Sequence, residues 1–500
     1  MEILILGIII SIILPGLMIK RSNRSLHLSQ LEGYQQENYF KWVKANKDKA
    51  YTLSGDTGNL KKPLVMTDRA KRLRLCNYGI NAVILILTSL ILIPNFDYYG
   101  IVGLVIIGLI LFYIQPITVG LATITMKPIE DRINMGFYIS AQNKIKARED
   151  LKVIGITGSF GKTSTKFIVG TILGEKYNVL NTPESYNTPM GLSKVINNQL
   201  NEDHEVFVAE MGAKVIGEIK EVAELAQPQI GVLTSIGPVH LETFKNIDNI
   251  MKTKYELIDS LPADGVAIFN YDNDHVKKLA NKTFKEMLLY GLEDIENLDI
   301  YADDIKVSET GSTFTLKDKS GNSIECNTRL LGKHNIYNLL AGACVGISLG
   351  LSFEEIKDGI EKVEPVEHRL NLIDSGTGII VIDDAFNSNP VGTKAALDVI
   401  SQFKEGRKII VTPGMIELGE MEEEANSEFG ENIGKVCDYA ILIGKNRTKP
   451  IYEGLLKSSF NEDNIFVVNS LDEASVQLGK ITRPKDVVLF ENDLPDNYTE

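Results

Sequence analysis

The sequence predicts an α/β protein in three parts. An α-helical transmembrane region comes first, then a P-loop domain on a mostly parallel sheet, then a C-terminal Rossmann-like α/β domain. Three observations predict this. Long apolar runs are confined to the first 150 residues. The stretch Val153 to Lys166, VIGITGSFGKTSTK, then reads as strand, glycine-rich turn and helix start. From Leu151 onward, short β-branched runs alternate with helical periodicity, the pattern of a sheet flanked by helices. The 500 residues exceed one ordinary domain. We divide them at 1–150, 151–364 and 365–500.

Charge divides the chain in the same place. Residues 1–150 carry 18 Lys and Arg against 11 Asp and Glu, and the remainder carries 34 against 55. The basic part coincides with the apolar runs, so its charge reads as membrane topology and contact with lipid headgroups. No basic stripe with interleaved aromatics is present, and a nucleic-acid partner is not expected. Cys76, Cys326, Cys344 and Cys437 are scattered without CxxC spacing. Neither a zinc site nor a disulfide framework is indicated, and a reducing, cytosolic setting fits the body.

Ile3 to Ile19 is a run of 17 nearly unbroken apolar residues, about 26 Å long as a helix. Glu2 stands where a secretory signal has basic residues, and no small-x-small cleavage site follows, so this is an uncleaved anchor. Ile80 to Pro94 and Gly100 to Met126, separated by NFDYY, read as a hairpin crossing the bilayer twice. The loop from Lys20 to Arg74 is rich in Lys and Arg, and Lys127, Arg132, Lys144, Lys146 and Arg148 follow the last run. The positive-inside rule then gives three spans with the N-terminus outside. The expectation is a multi-pass cell-membrane protein with its catalytic domains in the cytoplasm. Leu26 to Trp42 is amphipathic and aromatic, and suits an interfacial helix and a packed cytosolic helix equally.

In the body, strands are expected at Val153–Ile156, Val206–Ala209, Gly231–Thr234 and Val266–Asn270. Ile300 to Leu331 alternates apolar and polar residues around Gly turns, as antiparallel hairpins do. A helix from Ile336 to Leu349 closes the unit. After the linker EPVEHRL, further strands are expected at Ile379–Ile382, Lys408–Thr412, Tyr439–Ile443, Ile465–Val468 and Asp486–Phe490.

Glycines in such a turn let backbone N–H groups close around an anion at the positive end of a helix. Gly158, Gly161, Lys162, Thr163 and Ser164 are therefore candidates to hold phosphates, with the Thr163 hydroxyl on Mg²⁺. The general GxxxxGK[ST] pattern is met imperfectly, since position 156 is Ile and the glycines stand at 155, 158 and 161. Glu210 in FVAEMGA and His240 in TSIGPVHLETF each follow a candidate strand, where open α/β sheets bind ligands. Both are able to complete a metal shell begun by Thr163. Lys254 in MKTKYELID, HNIYN at 334–338 and IVIDDAFNSNP at 380–390 complete the constellation.

In this order, TGSFGKTS, EMGA, IGPVHLETF with TKYEL, LGKHNIYNLLAG, IDDAFNSNP and GMIELGE resemble the Mur ligases over residues 151–500. Within the family the D-alanyl-D-alanine-adding members are the most similar. The resemblance implies a central ATP-binding domain and an enzyme of cell-wall (peptidoglycan) precursor biosynthesis. Such an enzyme activates a carboxylate as an acyl phosphate for attack by an amine, releasing ADP and phosphate. It also implies roles. Lys162 would hold the γ-phosphate, Thr163 and Glu210 one Mg²⁺, and His240 a second, with Lys254 carbamylated by CO₂ into a further metal ligand. His334, Asn335 and Asn338 would lie beside adenine. Arg369 and Asp384 would close onto the nucleotide, near Asn387 and Asn389. The implied partners are a cell-wall precursor carrying a free carboxylate, an amino acid or dipeptide amine, and membrane lipid.

The chain departs from the family at four places. Arg369 lies in EHRL instead of a Gly-Arg pair, PGMIELGE lacks the Asp of GDMLELGE, and FENDLPDNY replaces a Lys-Gly-Ser end. Membrane spans stand where the family has its uridine-diphosphate-binding domain. Two other readings are a membrane-anchored polymer ligase like the poly-γ-glutamate synthases, and a catalytically silent partner that senses ATP or precursor. DDAFNSNP weighs against the first, and the retained Lys162, Glu210, His240 and Lys254 weigh against the second.

Overall fold

The computed structural model describes residues 2–52, 63–308, 311–374, 376–386, 388–416 and 418–493. They fall into two compact units that divide between Gly136 and Phe137.

The first unit is helical, with helices Glu2–Leu31, Gln36–Ala45, Lys47–Tyr51, Asp68–Phe96, Tyr98–Tyr113 and the start of Gln115–Lys146. Glu2–Leu31 and Asp68–Phe96 are long and apolar enough to cross a membrane. Their apolar side chains point outward, with Leu17 and Leu75 about 70% exposed. That is the reverse of a water-soluble bundle and suits a surface solvated by lipid. The single helix expected over 100–126 is instead two helices bent by 77°. Pro116 explains the break: it has no N–H to give the preceding turn, and its ring excludes the carbonyl four residues back. Gln115 satisfies part of the opened backbone, its Nε2 donating to Leu111 O at 2.9 Å while its Oε1 accepts from Asn77 Nδ2 at 3.0 Å. The Leu26 to Trp42 stretch divides between the end of the first helix and Gln36–Ala45. There Tyr39 is fully buried and donates to Pro116 O at 2.7 Å, so this helix packs on its neighbours.

The second unit holds two sheets. The larger has nine strands in the order β2-β3-β1-β4-β5-β6-β7-β8-β9. They are β1 Lys152–Thr157, β2 Val179–Asn181, β3 Val206–Glu210, β4 Ile230–Leu233, β5 Val266–Asn270, β6 Glu286–Gly291, β7 Ile300–Ser308, β8 Gly311–Asp318 and β9 Ser323–Thr328. The ladder is parallel from β2 to β7 and antiparallel through β8 and β9. Alternate residues of β1 enter opposite cores, Val153 on one face and Ile154 and Ile156 on the other, which is why the strand reads as a continuous apolar run. β2 and β6 were not anticipated from sequence. The first is three residues long, and the second, EMLLYG, contains no β-branched residue.

The smaller sheet has six strands in the order β10-β11-β15-β12-β13-β14, parallel except for the edge strand β10. They are β10 Asn371–Asp374, β11 Ile380–Asp384, β12 Lys408–Thr412, β13 Tyr439–Ile443, β14 Ile465–Val468 and β15 Val487–Glu491. β10 extends the sheet out of what the sequence presents as linker. In the larger sheet the chain runs from β1 to β2 and β3 on one side, then to β4 on the other. Ligand crevices of open α/β sheets form at the carboxyl end of such a reversal.

Candidate active site

At the end of β1 the chain turns through residues 158–161 into the helix Lys162–Leu173. Gly158 and Gly161 have φ of +154° and +79°. A Cβ on Gly158 would collide with Thr234 Oγ1, and one on Gly161 would lie 2.7 Å from Asn338 Oδ1, so both positions require glycine. The loop is pinned to the end of β4: Ser159 N donates to Ser235 O at 2.7 Å, and Phe160 N to Ser235 Oγ at 3.0 Å. Lys162 curls over it, its Nζ donating to Gly158 O at 2.9 Å and Ser159 O at 3.3 Å.

The loop bounds a cavity of about 580 Å³ whose walls come from both sheets. Gly161, Lys162, Thr163, Ser164, Glu210, His240, His334, Asn335, Asn338, Arg369 and Asp384 all line it. Gly158 and Lys254, also expected from the sequence, are not on its wall. Gly158 forms the back of the loop, and Lys254 is buried on the helix Ile247–Asp259.

Glu210, 1% exposed at the end of β3, accepts from Asn187 Nδ2 on Oε1 at 2.9 Å and from Lys166 Nζ on Oε2 at 3.2 Å. Burial opposes its charge, but Lys162 and Lys166 outweigh burial and hold the carboxyl below its usual range, with Asn187 and the Thr163 hydroxyl adding hydrogen bonds. A hydroxyl and a carboxylate meeting beside a phosphate loop are the hard oxygen donors that suit Mg²⁺. Among the described residues no three His, Cys, Asp or Glu side chains gather into a metal cage. A cation here would therefore draw its remaining ligands from phosphate and water, as Mg²⁺ commonly does. His240, with φ of +49°, lines the same cavity just before the short helix Leu241–Phe244. Burial, reinforced by the charge of Lys162, pushes the Lys254 ammonium down to about 7.

The helix Lys333–Ser348 brings three expected side chains to the opposite end of the loop. Asn338 Oδ1 accepts from Thr165 Oγ1 at 3.1 Å, and its Nδ2 donates to Asn335 Oδ1 at 3.2 Å. It thereby ties the helix that follows the loop to this one. Burial pushes the His334 imidazole down to about 4, so it is neutral at physiological pH.

From the smaller sheet, Arg369 lies over the Phe386 ring at 4.3 Å, between His368 and Leu370, which have φ of +58° and +47°. Leu370 N donates to Asp384 Oδ1 at 3.2 Å. Asp384 and Glu491 are register partners on β11 and β15, and burial raises both carboxyls. Asn389 caps the helix Pro390–Ser401, accepting from Val391 N and Gly392 N. Asn387 lies outside the described residues. Sequence reasoning passed over Lys166, Asn187, Phe160 and Phe386. Only Lys166 carried a signal, standing one helical turn beyond Lys162.

Residues 156–346 match the Mur ligase middle domain, and residues 368–491 the Mur ligase glutamate ligase domain. The chain is 32% identical over 345 residues to UDP-N-acetylmuramoyl-tripeptide--D-alanyl-D-alanine ligase of Bacillus subtilis, covering 68% of this chain and 72% of that one. It is 30% identical over 302 residues to the Escherichia coli enzyme of the same name, covering 60% and 66%. Among solved structures, MurF from Acinetobacter baumannii superposes with a TM-score of 0.66 at 25% identity, covering 73% of this chain and 78% of that one. MurF from Thermotoga maritima in complex with ADP gives 0.64 at 25% identity, covering 72% and 80%. The likeness runs through both domains that wall the cavity, and on that ground the chain belongs to the Mur ligase family of ATP-dependent ligases that form carbon–nitrogen bonds.

Proposed function

We propose that this chain is a membrane-anchored, MurF-like ligase that joins a carboxylate of a cell-wall precursor to an amine through an acyl phosphate. The carrying observation is the convergence of Lys162, Thr163, Glu210, His240, His334, Asn335, Asn338, Arg369 and Asp384 on one cavity. The chemistry needs that arrangement, because a carboxylate and a polyphosphate are both anions and repel as they approach. Lys162 and Arg369, on opposing walls, offset the repulsion, and a cavity closed by two domains keeps water from the activated acyl group. Two Mg²⁺ ions bound with ATP would supply further charge neutralisation, one held by Thr163 and Glu210 and the second by His240.

Lys254 would serve as a carbamate. The support is its full burial and depressed basicity, which leave a share of free amine near neutral pH, the form that adds CO₂. Carbamylation would exchange a buried cation repelled by the charge of Lys162 for an anion attracted to it.

The remaining readings concern organisation. We take residues 1–150 as the membrane region, 151–364 as the ATP-binding domain and 365–500 as the C-terminal domain. The membrane region would cross the cell membrane three times, with the catalytic domains in the cytoplasm. Anchoring confines enzyme and precursor to one surface and raises their effective concentration without new contacts. A lipid-linked precursor should then be used at least as well as its uridine-nucleotide form.

The test is to incubate the full chain in liposomes with ATP, Mg²⁺, D-alanyl-D-alanine, and either UDP-N-acetylmuramoyl-tripeptide or the lipid-linked tripeptide, with mass spectrometry of the products. We expect ADP and an amide in equal amounts. ADP release without any amide, at a rate unaltered by Lys162→Ala, would defeat the reading.

A further inference from the structure

We propose that Lys166 is a positioning residue for the divalent-cation site, locking Glu210 and the segment 182–188 to the phosphate-loop helix. The proposal deepens the ligase reading and rests on the assignment of Glu210 to a cation.

Lys166 follows Lys162 by four residues, so both project from one face of the helix. Their surroundings differ. Lys162 lines the cavity, whereas Lys166 is 0% exposed and absent from its wall, so it does not touch a bound nucleotide. Its Nζ donates to Glu210 Oε2 at 3.2 Å and to Glu184 O, and stands 4.4 Å from the Phe167 ring centroid. A buried ammonium is costly unless its donors are used. Here two are committed, to a carboxylate and to a carbonyl on a different segment.

That segment is knitted to the end of β3 at further points. Asn187 Nδ2 donates to Glu210 Oε1 at 2.9 Å, Thr182 Oγ1 accepts from Glu210 N at 3.2 Å, and Asn187 O accepts from Gly212 N at 2.9 Å. Glu184 has φ of +44°, a left-handed conformation that a residue with a Cβ seldom adopts. Its carbonyl bond to Lys166 is an interaction that holds it there. Asn187 and Lys166 thus orient the two Glu210 oxygens, one each, while the Thr163 hydroxyl bonds the same carboxylate. The carboxylate faces Thr163 in a fixed pose, and Ser185 and Asn187 are held on the cavity wall by the same bonds. Partners that orient a metal ligand without touching the metal commonly set affinity by about 10- to 100-fold.

The experiment is a Mn²⁺ titration of the full chain in detergent, read by electron paramagnetic resonance with the ATP analogue adenylyl imidodiphosphate present. Lys166→Met should weaken Mn²⁺ binding by about 10- to 100-fold. Affinity for ADP in EDTA should change by less than about twofold, since Lys166 lies off the cavity wall. A folded Met variant with parent-like affinity for Mn²⁺ overturns the proposal. Should that variant not fold, Lys166→Arg keeps the buried charge. Its planar head does not reproduce the two bonds of the ammonium, so weaker Mn²⁺ binding is again expected and a parent-like constant is fatal. A parent chain that binds no Mn²⁺ refutes the cation site and this proposal together. Mn²⁺ binding as expected, without amide formation, refutes the ligase reading alone.

Discussion

On one side of the cavity Lys162, Thr163, Glu210 and Asn338 stand at a strand end or in the first turns of helices. On the other, Arg369, Phe386 and Ser388 stand on turns. On the first wall these four side chains take their geometry from regular backbone, and His240 alone of its expected non-glycine residues sits in a left-handed conformation. Two glycines shape the phosphate loop, a hydrogen bond to Ser235 pins that loop, and one from Thr165 to Asn338 pins the helix that follows. The second wall aims Arg369 by placing His368 and Leu370 in left-handed conformations, neither of them glycine, and by seating the guanidinium on Phe386. The proposed phosphate chemistry thus rests on the wall built from strand ends and first helical turns. The wall that closes the cavity depends on tertiary context.

The sharpest way to break this contrast is Lys162→Ala. Removing the cation from the regular wall should lower kcat by at least about a thousandfold, the scale of a lost charge at a transferring phosphoryl group. The variant should melt near the parent, because among the described residues the Lys162 hydrogen bonds go to its own loop carbonyls and Lys166 still faces the Glu210 carboxylate. Steady-state rates within tenfold of the parent would remove Lys162 from the chemistry.

Next in size is the effect of CO₂. Assays in CO₂-depleted buffer should run about 10- to 100-fold slower than those with added bicarbonate, as for loss of one metal-site partner. Lys254→Ala should be slow in both. Equal rates for the parent under the two conditions would contradict carbamylation.

On the opposite wall, Arg369→Lys keeps the charge but loses the planar stack on Phe386. It should raise KM for ATP by about tenfold, about 1.4 kcal/mol, and leave most of kcat. A fall in kcat as large as that of Lys162→Ala would erase the proposed division between the walls.

The smallest effect concerns His334. Its folded pKa of about 4 lies below the ordinary 6.5. The unfolded chain therefore takes up a proton first, and the parent loses stability as pH falls from 6.5 towards 4. Melting temperatures of His334→Phe should fall less steeply across that window. Parallel curves would show that His334 does not carry this loss of stability.

The legibility of the sequence follows the same division. GKTS, EMGA and HNIYN named residues that regular elements then delivered to the cavity, because a strand end or a first helical turn fixes where a side chain goes. Arg369 was nameable only through family resemblance, since nothing in EHRL announces two left-handed residues. Asn187 and Lys166 were passed over because their partners are 23 and 44 residues away. In the helical region the first two apolar runs lie in long helices. The third is broken at Pro116, and its apolar composition carries no sign of the 77° bend that the missing N–H permits.

The central claim is that the carboxylate is activated by phosphoryl transfer, and isotope transfer tests it most directly. The precursor is prepared with ¹⁸O in both oxygens of its free carboxylate and turned over by the full chain with unlabelled ATP and D-alanyl-D-alanine. The released phosphate is then weighed by mass spectrometry. Acyl phosphate formation and amine attack predict one ¹⁸O in each phosphate and one in the amide carbonyl. Amide product accompanied by unlabelled phosphate would contradict the account.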